Sequence, residues 1–75
     1  MKLYFENSYG ERRLIAQPRE QTEVGLEIRR FIDECNEGKP EDKKFHSYYT
    51  RIWKNEEGLI VYDVGSHVEL FLLED

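Results

Sequence analysis

EQTEVGLEIRRFIDECN, residues 20 to 36, decides the fold class, because its apolar residues follow a helical period while the flanking segments alternate. Val24, Ile28, Phe31, Ile32 and Cys35 stand at offsets that place them within about 100° of arc on one side of a helix. Leu26 falls opposite them. Thr22 is a suitable N-cap, Glu20 and Glu23 suit the positive start of the helix, and the run from Asn36 to Gly38, followed by Pro40, is a stop signal. Gly25 costs about 1 kcal/mol against alanine in a helix interior, so a late start is expected.

Working outward, KLYFENS alternates Leu3 and Phe5 against Lys2, Tyr4 and Glu6, the period of a half-buried strand. Residues 8 to 10 form a turn, and RRLIAQ repeats the alternation before Pro18, which cannot donate to a ladder. A hairpin results. On the other side of the helix, GKPEDKK is a charged connection, and FHSYYTRIWK is a strand-forming run of aromatic and β-branched residues. NEEG at 55 to 58 reads as a hairpin turn, LIVYDV pairs back, Gly65 breaks the run, and HVELFLLE supplies a last strand. The expected architecture is a single α+β domain over residues 1–75: one antiparallel sheet of four to five strands, one helix on one face, in the order β-β-α-β-β-β.

One helix covers one face of such a sheet. The last strand is apolar on both sides, with Val68, Leu70 and Leu72 against Phe71 and Leu73, so a homodimer or another protein is expected to cover the second face. The same strand is a candidate edge for strand addition.

The totals narrow the function classes. With 75 residues and ten aromatic side chains, the chain has enough for one core, and its single cysteine, Cys35, forms no internal disulfide. No run approaches the roughly 20 apolar residues of a membrane span, and the first residues lack the apolar centre of a secretory signal, so a cytoplasmic protein is expected. Net charge is −5 but uneven: residues 38 to 54 carry five basic and two acidic groups, residues 55 to 75 six acidic and none basic. An acidic balance repels nucleic acid over long range.

Asp63, Ser66 and His67 have the residue types of a nucleophilic triad. Neighbouring side chains of a strand diverge, however, and no G-x-S-x-G elbow is present, so the stretch reads as a junction between strands. His46, His67, Cys35 and Asp63 lack short ligand spacing. No enzyme activity, metal or cofactor is expected. Tyr49, Arg51 and Trp53 share one strand face, the chemistry of a base-stacking platform or of a protein-binding patch, and the second fits an acidic chain better. Glu23, Glu27 and Glu34, with Leu26 exposed among them and Phe71 on the last strand, complete the expected protein-binding residues. An acidic helix of this kind also has the chemistry to imitate nucleic acid in the basic groove of a nucleic-acid-handling enzyme.

MKLYFENSYGERRLI, SYYTRIW and YDVGSH resemble signatures of short proteins encoded by phages and prophages of Gram-positive bacteria, with a break at GKPEDKK. That resemblance implies an accessory role: binding and inhibiting, or redirecting, a host protein, as anti-CRISPR and other anti-defence inhibitors do. The expected function is therefore non-enzymatic protein binding. A small nucleic-acid-binding regulator and a self-associating phage component are the alternatives.

Overall fold

The computed structural model describes residues 1–65 and 68–75. Five strands, β1 (Lys2–Glu6), β2 (Arg12–Ala16), β3 (Arg51–Lys54), β4 (Ile60–Asp63) and β5 (Leu70–Glu74), form one antiparallel sheet in the order β2-β1-β5-β4-β3. The helix α1 (Val24–Asn36) follows β2, so the expected class and element order hold. A 3₁₀ turn, Gln21–Glu23, leads into α1, and neither helical start carries a side-chain cap. Thr22 is thus inside that turn rather than at the N-cap, and its hydroxyl meets the Glu20 carboxylate at 3.4 Å.

β5 is the centre of the sheet, not an edge. It pairs with β1 on one side, Leu3 opposite Leu73 and Phe5 opposite Phe71, and with β4 on the other, Val61 opposite Leu72 and Tyr62 opposite Phe71. Its unbroken apolar run is what a strand buried on both faces requires. Leu3, Phe71 and Leu73 turn toward α1, where Val24, Ile28 and Ile32 close the main core. Phe5, Phe31 and Phe71 meet there, with ring centroids 4.8 to 5.8 Å apart. These are favourable tilted and edge-on aromatic separations.

The face away from α1 covers itself. Val61 and Leu72 are each only 2% exposed there, packed with Leu59, Tyr4 and Leu70. Arg12 stands at one end of an outer strand, and Glu57 lies in the turn between β3 and β4, at the diagonally opposite corner of the sheet. Their side chains nevertheless meet in a bidentate pair at 3.0 and 2.6 Å, with the Arg12 Nε donating to Glu6 at 2.9 Å. The twist of antiparallel strands coils the sheet until these corners touch. A partner is therefore not needed over Leu72, and the reason for expecting a homodimer from this face disappears.

Two glycines matter to the connections. Gly58 takes φ +84° in the turn after β3, where the Asn55 side chain accepts the N–H of Leu59. Gly65 takes φ +121°, donates its N–H to the Asp63 carboxylate at 2.9 Å, and leaves a space beside Tyr48 that a Cβ would contact at 3.3 Å. Both positions suit a residue without a Cβ.

Candidate protein-binding edge

FHSYYTRIWK reads as a strand-forming run of aromatic and β-branched residues. Only Arg51–Lys54 is strand, and all four of its residues are exposed. Ile52 is 58% exposed and Trp53 37%, so neither side of β3 is core. This is the opposite of β5, and it follows from position: β3 is an outer strand, separated from α1 by a groove.

Register fixes which backbone groups of β3 remain open. Arg51 faces Asp63, Ile52 faces Tyr62, Trp53 faces Val61 and Lys54 faces Ile60, and the same ladder continues into the bond from Asn55 N–H to the Leu59 carbonyl at 2.9 Å. Bonded pairs alternate in an antiparallel ladder. Counting back from Asn55, Trp53 and Arg51 bond to β4, while the N–H and C=O groups of Ile52 and Lys54 point outward.

Next to β3 the gap beside α1 forms a groove of about 470 Å³. Ile28, Arg29, Ile32 and Asp33 of α1 line one side, Phe45 to Ser47, Thr50 and Ile52 the other, with Tyr62 and Val64 between them. Gly25 opens the wall further, since a Cβ built there meets nothing within 4 Å. Asn36 fixes the far wall: its amide donates to the Phe45 carbonyl and accepts the Phe45 N–H, both at 2.7 Å. Tyr48 N–H donates to Val64 carbonyl at 3.0 Å and holds the same segment to the end of β4.

Electrostatically the edge differs from the rest of an acidic chain. Lys43, Lys44, Arg51 and Lys54 lie between residues 43 and 54, with no carboxylate among them. Lys44 approaches Glu41 at 3.4 Å, and His46 Nε2 approaches the same carboxylate at 3.6 Å. Arg51, Lys54 and the groove-lining Arg29 form no ion pair among the described residues. The Arg51 guanidinium lies over the Trp53 ring at 5.3 Å.

The expected site residues fall into three places. Arg51 and Trp53 stand together on β3, and Tyr49 lies just before the strand, half exposed. At 100° per residue, Glu23, Glu27 and Glu34 share a stripe about 40° wide, on the flank of α1 away from the groove. Leu26 is 70% exposed but is turned about 60° from that stripe, toward the groove residue Asp33, and Glu27 pairs with Arg30 at 3.4 Å. Phe71 is wholly buried in the main core, so it is removed from the binding residues. Ile52 was missed. Its signal was its place between two cations in a short strand, the composition of an edge strand.

Asp63 is buried and caps Gly65, while Ser66 and His67 lie outside the described residues. Among the described residues, no group of three His, Cys, Asp or Glu is placed to hold a metal, and no helix is long and apolar enough to cross a membrane. Cys35 is half-buried. Comparison with protein-family models, curated proteins and solved structures finds no match to this chain.

Proposed function

We propose that the chain is a non-enzymatic protein-binding module, acting in the cytoplasm, that receives an extended segment of its partner along β3. The observation that carries this reading is an edge strand with exposed side chains and outward backbone groups beside a groove to which Ile28, Ile32, Tyr62 and Val64 contribute apolar side chains. Strand addition uses both features: main-chain hydrogen bonds supply affinity, and alternate side chains in a neighbouring groove supply selectivity. In the phage setting that the sequence signatures imply, the partner is a host protein and binding inhibits or redirects it.

The test is capture from bacterial lysate followed by titration of the captured protein. Ile52→Asp is expected to weaken binding by about tenfold or more, about 1.4 kcal/mol. Glu34→Ala, on the opposite flank of α1, is expected to leave it unchanged. Binding that depends on Glu34 and not on Ile52 would move the site to the acidic helix face.

A nucleic-acid reading has one observation in its favour, the Arg51–Trp53 stack in a basic segment. Base stacking needs an open ring face, and Arg51 lies over one face of this ring.

A further inference from the structure

We infer that the segment received by β3 alternates acidic and apolar side chains, with the apolar ones turned toward the α1 groove. This deepens the strand-addition reading and rests on it. A strand laid against β3 continues the sheet, so its successive side chains point alternately to the two faces.

The two faces of β3 make different demands. Ile52 is on the α1 side, opposite Tyr62, and both line the groove with Ile28 and Ile32. Side chains of the docked strand that turn this way meet these apolar side chains, in a groove that Arg29, Asp33, Asn36 and His46 also line. Arg51 and Trp53 turn to the other side, where the Arg51 guanidinium has no carboxylate partner among the described residues. Side chains turned that way meet a cation, and a carboxylate directly across from Arg51 gains a cross-strand pair. Lys54 and Arg29 add positive charge at the strand end and at the groove, against one groove carboxylate, Asp33. An acidic strand complements this edge, although the whole chain is itself acidic.

Fluorescein-labelled peptides of about seven residues, the length of an ordinary strand, test the inference. The probe alternates Glu and Val. One control has the same composition in two blocks, and a second alternates Lys and Val. A single-stranded oligothymidine serves as the nucleic-acid probe. Anisotropy at low salt is expected to show the Glu–Val alternation binding about tenfold or more tighter than either peptide control, with the preference over Lys–Val shrinking as salt rises. Arg51→Glu is expected to remove the preference for Glu over Lys. Gly25→Leu, which fills the groove from a helical position with open space around it, is expected to remove the advantage of the Glu–Val peptide over a Glu–Ala peptide of the same length while the protein stays folded by circular dichroism.

Equal binding of the Glu–Val and Lys–Val peptides would overturn the inference. So would tighter binding of oligothymidine, or sedimentation showing a dimer whose Ile52 and Lys54 amides are protected without peptide. If no peptide binds but Ile52→Asp still abolishes capture of the partner, β3 remains the docking edge and the acidic alternation fails alone.

Discussion

β2 and β3 are the two outer strands of one sheet, yet their cations are used in opposite ways. Arg12 on β2 is held by Glu6 and Glu57, Arg13 lies over the Phe31 ring at 5.7 Å, and the register slips between Leu3 and Tyr4. A bulge and committed charges are ordinary means of blunting an edge. On β3 the register is regular, Ile52 is exposed, and Arg51 and Lys54 have no carboxylate partner among the described residues. One edge is closed by the chain's own side chains, and the other is left with a groove beside it. On the proposed reading, β2 serves stability and β3 serves recognition.

The largest effect should separate the strand next to β2 from β3 itself. Leu3→Ala on β1, a fully buried position, is predicted to cost about 2–5 kcal/mol in urea unfolding. Ile52→Ala is predicted to stay within about 0.5 kcal/mol, as exposed substitutions do. Comparable losses at both positions would mean that β3 is part of the core.

The walls of the groove come next. Asn36→Ala removes both hydrogen bonds to the Phe45 backbone and is predicted to cost about 1–3 kcal/mol, read from chemical denaturation. Gly65→Ala, at φ +121° and against Tyr48, is predicted to cost a similar amount, about 1–3 kcal/mol. Gly25→Ala goes the other way, stabilising by about 0.5–1 kcal/mol, because the helical backbone is unstrained and the site is open. A loss of stability there would show that the groove is narrower than described.

The smallest effect belongs to the closed edge. Hydrogen bonds from Arg12 hold the Glu57 carboxyl below the ordinary carboxylate range, and Glu57 together with Glu6 raises the Arg12 guanidinium above its own. A lowered carboxyl contributes stability above its unfolded pKa and loses it as pH falls through the folded value. The raised guanidinium contributes throughout the working range. Wild type is therefore predicted to exceed Glu57→Gln slightly in thermal stability near pH 7, with the difference fading in acid as pH falls from the ordinary glutamate value through the lowered folded one. It should fade in high salt also, since both side chains are substantially exposed.

The same contrast explains what could be read before the fold was known. The helical period of residues 20–36, the two hairpins and the NEEG turn are local, and local patterns specify local elements. Leu70 to Leu73 carried more information than alternation alone extracts from it: an unbroken apolar run marks a strand buried on both faces, and therefore a central one. Arg51 and Lys54 flanking Ile52 and Trp53 carried the complementary signal of an edge. The groove was not legible, because it depends on Asn36 and Val64 pinning residues 45–48, contacts that no periodicity encodes. Nor was the self-covering far face, which depends on a coil of the sheet that brings Arg12 to Glu57.

Amide hydrogen exchange along β3, followed by NMR with and without the Glu–Val peptide, tests the central claim most directly. In the free protein the Trp53 amide should exchange slowly and the Ile52 and Lys54 amides fast, and peptide should slow Ile52 and Lys54 while leaving β2 unchanged. Ile52 and Lys54 amides already protected in the free monomer, or unaltered with peptide bound, would contradict the assignment of β3 as the open edge.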